Sequence, residues 1–163
     1  MQRLLVVPHS PTAAVRLLTD AVIAGANDDA IEGVEVIARP ALEAHVEDVL
    51  TADGYLLGTP ANFGYMSGAL KHFFDSLFLE IGGSLSDDGS AAGAASSGKK
   101  PFGLYVHGRY DTTGAVRSVL SIVAALPWRQ VAEPLEVLGE VGDAERAAGY
   151  ELGGTLAALL APQ

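Results

Sequence analysis

Apolar runs of strand length alternate along this chain with segments that have the apolar spacing of helices. The first run, Arg3–Val7 (RLLVV), is unbroken and stops at Pro8, as expected of a strand that is buried on both faces. Between Thr12 and about Ala26 the apolar residues then recur at helical spacing. The same patterns predict four more strands, at Val34–Ala38, Gly54–Gly58, Phe102–Val106 and Val131–Leu138.

The helix after the third strand has the clearest pattern. Its apolar residues lie on one face, at Leu70, Phe73, Phe74, Leu77 and Phe78. Ser67 is its predicted N-cap. Further helices are predicted at Ala44–Ala52, Gly114–Leu126 and Asp143–Leu160, the last with Asp143 as its N-cap. Five strands that alternate with five helices predict an α/β fold, a doubly wound three-layer sandwich around a mostly or wholly parallel sheet.

The length of 163 residues, of which 49% are hydrophobic, fits a single domain over residues 1–163 with one sizeable core. One segment, at about residues 82–100, is rich in Gly, Ser and Ala and has no period. Because long structureless loops are uncommon in compact domains, this segment is predicted to be a flexible insert.

The formal net charge of −10 argues against nucleic acid as a partner, since such a chain repels a phosphate backbone. The absence of cysteine excludes disulfide scaffolds, thiol nucleophiles and cysteine metal sites. No secretory leader is recognised, and no apolar run approaches the roughly 18 residues of a membrane span. We therefore expect a cytoplasmic protein with no membrane partner.

Ligands of open α/β sheets bind beyond the carboxyl ends of the strands, so the turns at those ends are the candidate sites. The first turn, Pro8–Val15, offers the hydroxyls of Ser10 and Thr12 at the start of a helix. Free N–H groups and the helix dipole favour an anion there without a lysine. The alternative is that one of these hydroxyls only caps the helix.

The turn after the third strand reads TPANFGYMSG, from Thr59 to Gly68, and is predicted to be a loop. It has no ionised side chain, whereas Asn62, Phe63 and Tyr65 offer a polar edge and flat faces. This composition suits a flat, neutral ligand. The alternative is a tight turn whose aromatic side chains fold into the core.

The turn after the fourth strand, HGRYDTTGA, begins at His107. Gly108 permits a tight turn, and Tyr110 adds a flat face. Asp111 either binds a ligand or, like Thr112, caps the next helix. Arg109 is either a surface charge or a contact for an anionic substrate or a neighbouring subunit.

Together the three turns suit a ligand with a phosphate at one end and a flat, neutral ring at the other, and flavin mononucleotide (FMN) has that shape. A dinucleotide fits worse because the first turn lacks G-x-G-x-x-G. No metal site is predicted, since the four histidines lack ligand spacing. A phospho-receiver is excluded because Pro8, His9, Gly58 and Thr59 stand where acidic residues are needed. A serine hydrolase is disfavoured because Gly64–Gly68 does not have the G-x-S-x-G pattern of a nucleophile elbow.

The stretch GTPANFGYMSGALKHFFD resembles the ring loop and following helix of the flavodoxin-like superfamily, in particular its NAD(P)H-dependent FMN reductase and WrbA-type quinone oxidoreductase branch. There a Pro-Thr/Ala-x-Phe/Tyr-Gly core precedes Met-x-x-x-Met/Leu-Lys-x-Phe-Phe/Leu-Asp. The resemblance implies a flavodoxin-like five-stranded parallel sheet of order 2-1-3-4-5. It also implies that the isoalloxazine is lined by Pro60, Ala61, Asn62, Phe63 and Gly64.

By the same resemblance the phosphate is held, mainly through N–H groups, by Ser10, Thr12, Ala13, Ala14 and Val15. The third loop consists of Gly108, Arg109, Tyr110 and Asp111. Thr59 and His107 adjoin these loops and complete the predicted cofactor site, with Tyr65, Tyr110 and His107 expected to gate access to the ring.

This chain departs from flavodoxins proper, which carry Thr/Ser-x-Thr-Gly-x-Thr at the phosphate turn, by having Ala13 and Val15 there. The reductase branch accepts an aliphatic residue at the position of the last hydroxyl, where this chain has Val15. The expected function is therefore reduction of free flavin, a quinone or a similar small-molecule acceptor, with NADPH or NADH as electron donor and no catalytic side chain. The alternative is a flavodoxin-type electron carrier. A homodimer or homotetramer is expected from the resemblance alone.

Overall fold

A sheet with helices on both faces organises the residues that the computed structural model describes, namely 1–81, 87–88, 99–126 and 128–163. In chain order the elements are β1 (Gln2–Pro8), α1 (Ala13–Ala26), β2 (Val34–Ala38), α2 (Val46–Thr51), β3 (Gly54–Asn62), β4 (Tyr65–Met66), α3 (Gly68–Leu77), β5 (Pro101–Gly108), α4 (Thr113–Ala125), β6 (Arg129–Gln130), β7 (Leu135–Leu138) and α5 (Asp143–Leu160). Apart from residues 87–88 and 99–100, the predicted insert at 82–100 lies outside the described residues.

The sheet has the predicted order. β2, β1, β3 and β5 lie side by side in parallel, and β6 and β7 both pair with β5 at the far edge, also in parallel. Since β5 is the fourth long strand and β6 and β7 share the fifth place, the order 2-1-3-4-5 is confirmed. The one antiparallel pair among the described strands joins β3 to the short β4.

The fifth strand was predicted at Val131–Leu138, and only Leu135–Leu138 (β7) of that range is a strand, whereas β6 was not predicted. β6 pairs with the start of β5 and β7 pairs with its end. Pro134 lies between the two pieces. Residues 131–134 lie outside the ladder, and the last of them, Pro134, has no N–H to donate to it.

Each face of the sheet carries its own core. The cluster on one face includes Phe73 of α3 and Val119 of α4. The cluster on the other face includes Leu18 of α1 and Leu156 of α5. Side chains alternate along β5, so that Leu104 faces the first cluster and Tyr105 the second. The predicted three-layer sandwich is therefore present.

Two of the predicted helix starts can be compared with the structure. Ser67 caps α3, since its Oγ accepts a hydrogen bond from Leu70 N at 3.1 Å, as predicted. At α5 the cap position belongs to Gly142, and Asp143 is the first helical residue, paired with Arg146. The prediction of Asp143 as N-cap is therefore wrong by one position. No helix in the described part of the chain is both long enough and apolar enough to cross a membrane.

Glycines let α1 and α5 approach until their backbones touch. A Cβ atom on Gly153 would overlap the carbonyl oxygen of Val22, and one on Gly25 would overlap that of Tyr150. A Cβ on Gly154, the next residue along α5, would lie at an ordinary 3.4 Å from Gly25 O. Gly153 and Gly25 therefore set the distance between these two helices.

We expect Gly153→Ala to destabilise the domain by about 2–3 kcal/mol, because the added methyl forces two backbones apart. Gly154→Ala is the matched control. It has room for the methyl and gains up to about 1 kcal/mol of helix propensity. Urea unfolding of both variants and the parent checks this, and equal stabilities of the two variants would contradict it.

Candidate functional site

The register of the sheet brings the three predicted turns to one edge. Pro8 at the end of β1 pairs with Gly58 of β3, and Pro60 of β3 pairs with His107 near the end of β5. Because these strands are parallel, the segments that follow them leave the sheet on the same side. The candidate site is this carboxyl edge between α1, β3 and α4.

The second turn is more ordered than predicted. Instead of a loop over Thr59–Gly68, β3 continues to Asn62 and then pairs back with Tyr65 and Met66 as an antiparallel hairpin. Only Phe63 and Gly64 form the turn, with φ of 52° and 76°. Positive φ at both turn residues is the pattern of a type I′ turn, which matches the twist of the flanking strands.

Thr59 and Pro60 explain why the strand extends. Thr59 is fully buried, and its hydroxyl donates to Pro60 O at 2.8 Å and accepts from Ser67 N at 2.9 Å. This contact ties the base of the hairpin to the start of α3. Pro60 lies beyond the end of the β1 ladder, so its missing N–H leaves no gap on that side. The Thr59 hydroxyl thus supports the hairpin.

The hairpin presents Phe63 to solvent. Its side chain is fully exposed, so the alternative that it folds into the core is wrong. A bulky residue at positive φ is uncommon and costs of order 1 kcal/mol, and such strain clusters at ligand sites. Tyr65, on the returning strand, is 45% exposed. A large apolar side chain is therefore held in a strained and solvent-exposed position at the edge.

The third turn packs against the hairpin through its glycines. A Cβ on Gly108 would lie 3.1 Å from the Cβ of Ala61, and one on Gly114 would overlap Gly64 O. The start of α4 can therefore approach the hairpin only because residue 114 has no side chain. Tyr110 is 84% exposed beside these contacts. The second and third turns form one surface with two exposed aromatic faces.

The polar residues of the third turn are mostly engaged within the protein. Asp111 accepts from Thr113 N at 3.0 Å, and hydrogen bonds to Thr113 hold the pKa of Asp111 below its ordinary value. Thr112 donates to Glu136 Oε1 at 2.7 Å, and His107 Nε2 donates to Gly139 O at 2.6 Å. These bonds fix the turn. The N-cap position of α4 belongs to Thr112, whose side chain makes no cap hydrogen bond, and Asp111 lies one residue before it.

Arg109 remains on the surface, with its Nε 3.3 Å from the Tyr110 hydroxyl oxygen and its guanidinium near the Tyr110 ring. The contact joins the exposed cation of this turn to its exposed aromatic side chain. A residue in this position can contact an anionic group that approaches the third turn from solvent.

The first turn combines a helix start with two hydroxyl groups, and the N–H of Val15 is engaged within the protein. Thr12 caps α1, with its Oγ1 3.4 Å from Val15 N, so the capping alternative is correct for this hydroxyl. Ala13 and Ala14 begin the helix, and N–H groups at that point have no partner within the helix. Ser10 lies at the mouth of the turn, and its Oγ is hydrogen-bonded to Thr19 Oγ1 at 2.8 Å.

Two residues at this turn were missed by sequence analysis. Arg16 is exposed on the first turn of α1, and its Nη1 donates to Pro11 O at 3.4 Å. The sequence alone could have indicated Arg16, since it is a cation in the first turn of a helix that follows a candidate anion site. Thr19 lies one turn further along α1, and nothing in the sequence indicates its bond to Ser10.

The residues fit both ends of FMN. The hairpin and the third turn supply exposed flat faces. The hairpin itself has no ionised side chain, which suits a neutral ring system. The helix start, the hydroxyl of Ser10 and the cation of Arg16 supply the donors and positive potential that a phosphate needs. The three turns lie side by side along one edge of the sheet.

Comparison with known proteins gives relatives of two kinds. A flavodoxin of Aquifex aeolicus is 37% identical over 97 residues, which are 60% of this chain and 50% of the relative. An NAD(P)H dehydrogenase (quinone) of Acidithiobacillus ferrooxidans is 29% identical over 117 residues, with 60% of this chain and 55% of the relative covered. The chain thus spans about half the length of the curated relatives it matches.

Among solved structures, the flavodoxin, WrbA-like protein of Agrobacterium tumefaciens superposes with a TM-score of 0.73 over 98% of each chain at 15% identity, which establishes the flavodoxin-like fold. The profile of the family described as NADPH-dependent FMN reductase matches residues 15–139, a segment that contains the hairpin and the third turn. That match covers well over half of the sequence, and the chain belongs to the NADPH-dependent FMN reductase family.

Proposed function

We propose that this protein binds FMN at the carboxyl edge of its sheet and uses NADPH or NADH to reduce a small-molecule acceptor, such as free flavin or a quinone. The observation that carries the proposal is the strained hairpin with an exposed aromatic tip, inside the segment matched by the reductase family. An exposed Phe63 at positive φ has no role in the core that would offset its strain.

The ring end of the site is held rigidly from below. The Thr59 hydroxyl ties the hairpin to α3, and Gly114 lets the start of α4 contact the tip of the hairpin. Phe63 and Tyr110 then supply aromatic faces for stacking, worth about 1 kcal/mol each beyond the area they bury. The Asn62 side chain at the edge supplies a hydrogen-bonding group for the polar rim of the ring.

The phosphate end is held by the chain's own donors. The N–H groups of Ala13 and Ala14 point along the axis of α1 toward the first turn, where the helix dipole favours an anion. Arg16 adds a full positive charge on the same turn of the helix. The side chain of His9 adds little charge, since partial burial lowers its pKa.

When bound, FMN would supply the redox chemistry, taking a hydride from NAD(P)H and passing two electrons to the acceptor. The task of the protein is to hold one face of the ring and to leave the other face open. Phe63 and Tyr110 are placed to do this, because their side chains reach into solvent. No acid or base of the chain is needed for hydride transfer, and none is proposed as catalytic.

A second candidate is a flavodoxin-type electron carrier. The identity of 37% to a flavodoxin favours it, and so does the net charge of −10, which suits docking to a basic redox partner. Both candidates require the same FMN site and differ in whether NAD(P)H reduces the flavin. The proposal includes free flavin or a quinone as the acceptor. It also includes a homodimeric or homotetrameric state.

Anaerobic stopped-flow mixing of the FMN-loaded protein with NADPH separates the two candidates. For the reductase we expect the visible absorbance of the flavin to be lost within seconds, because the nicotinamide would have access to an open face of the ring. NADH is tested in parallel, and dithionite reduction confirms that the flavin can be reduced. A flavin that stays oxidised for minutes with both nucleotides would leave the carrier as the function.

We also expect Phe63→Asn to separate stability from binding. Asn-Gly is the preferred pair for a type I′ turn, so the variant relieves the strain at residue 63 and keeps or raises Tm by a few degrees. Loss of the aromatic face weakens FMN binding by about three- to tenfold. Fluorescence titration of the apoprotein and thermal unfolding measure the two effects.

Leu79→Asn is the matched control, since it removes another exposed apolar side chain, beyond the far end of α3. It should leave the FMN dissociation constant unchanged. If Phe63→Asn also binds FMN like the parent, the hairpin tip does not contact the ring.

A further inference from the structure

Tyr105 crosses the sheet on the side of α1. It lies in β5, and a Cβ on Gly58 of β3 would overlap its ring. The missing side chain of Gly58 thus lets the Tyr105 ring lie across β3 toward α1. The side chain is completely buried, yet it carries a hydroxyl that needs a hydrogen-bond partner.

The Tyr105 hydroxyl starts a chain of three hydroxyl groups that ends at the first turn. Its oxygen lies 2.8 Å from Thr19 Oγ1 in α1. Thr19 Oγ1 lies 2.8 Å from Ser10 Oγ. The chain therefore joins the centre of the sheet to the mouth of the site where the phosphate is proposed to bind.

The direction of the hydrogen bonds follows from counting donors. Within the described residues, Thr19 is the one hydrogen-bond partner of the Tyr105 hydroxyl. A buried phenol that donated nothing would leave its proton unsatisfied, at a cost of about 1–3 kcal/mol. Burial also raises the pKa of Tyr105, so the phenol keeps its proton. Tyr105 therefore donates to Thr19.

The remaining two steps follow in the same direction. Thr19 Oγ1, having accepted from Tyr105, donates its own proton to Ser10 Oγ. Ser10 Oγ, having accepted from Thr19, can donate its own hydrogen to a partner other than these three hydroxyl groups. Ser10 is only partly buried, so a ligand at the first turn can reach this hydroxyl. In the opposite direction Ser10 would donate inward and offer only a lone pair, which repels an anion.

We propose that Tyr105 and Thr19 are positioning residues that orient the Ser10 hydroxyl as a donor to the phosphate of the bound flavin. The inference rests on the proposed function and deepens it, because it names what distinguishes a phosphorylated flavin from one without phosphate. The oriented serine contributes to FMN binding and contributes nothing to riboflavin binding, which shares only the ring.

A double-mutant cycle on the apoprotein tests this relay, by which we mean the hydroxyl groups of Tyr105, Thr19 and Ser10. FMN and riboflavin affinities are measured by fluorescence titration. Ser10→Ala should weaken FMN binding about tenfold or more, since hydrogen bonds to charged groups are the strong ones. Tyr105→Phe should weaken it by about three- to tenfold, because Ser10 is then free to donate inward. In the Ser10→Ala background, Tyr105→Phe should have no further effect on FMN. Riboflavin affinity should stay constant throughout.

Two pairs of variants separate positioning from general support of the fold. Thr19→Ser keeps the hydroxyl and should keep FMN affinity, whereas Thr19→Val loses it. Tyr55→Phe is the control for Tyr105→Phe, since Tyr55 is an equally buried tyrosine in the core on the other face of the sheet, where its hydroxyl donates to Val49 O. It should destabilise the fold similarly and leave FMN affinity unchanged.

The outcomes are distinguishable from failure of the proposed function. A parent protein that binds no FMN would overturn both proposals. A parent that binds FMN, combined with equal effects of Tyr105→Phe in both backgrounds or equal losses of FMN and riboflavin, would overturn the relay alone. A loss confined to FMN that disappears in the Ser10→Ala background supports it.

Discussion

The parallel ladders that join β3 to β1 on one side and to β5 on the other position everything at the candidate site. They set Pro8 beside Gly58 and Pro60 beside His107, so that three turns far apart in sequence leave the sheet at one edge. β3 outlasts β1 by several residues, and this free length becomes the first strand of the hairpin. The candidate site is thus an extension of the sheet and shares its rigidity, as sites built on regular elements do.

The two ends of the candidate site offer different kinds of interaction to a ligand. At the hairpin, backbone conformation is strained to hold an apolar side chain in water, and the flanking contacts at Thr59 and Gly114 hold it there. At the first turn, the helix start and hydroxyl groups provide fixed dipoles, with Arg16 as the added charge. A ligand with a neutral ring and an anionic tail satisfies both ends, and a purely apolar or purely anionic molecule satisfies only one.

Unbroken apolar runs and helical stripes report directly on burial, so the alternation of strands and helices and the shared edge could be predicted from the residues alone. The strand order and the family came instead from the resemblance of the stretch Gly58–Asp75. Sequence reasoning missed the hairpin, since Pro60 and Gly64 read as loop residues when the longer reach of β3 over β1 is not visible. It placed the fifth strand at Val131–Leu138, of which only Leu135–Leu138 pair with β5, and it did not predict the short β6. The bond between Thr19 and Tyr105, 86 residues apart, leaves no local pattern at all.

The overlap of the Tyr105 ring with the place of a Cβ on Gly58 has an evolutionary consequence. A side chain at position 58 and the Tyr105 ring in its present position exclude each other. Homologous chains that acquire alanine or a larger residue at the first position must therefore shorten the second, and the two columns of an alignment will change together. Chains that lose the ring also lose the phenol that contacts Thr19, so the hydrogen bonding of Thr19 must change with it.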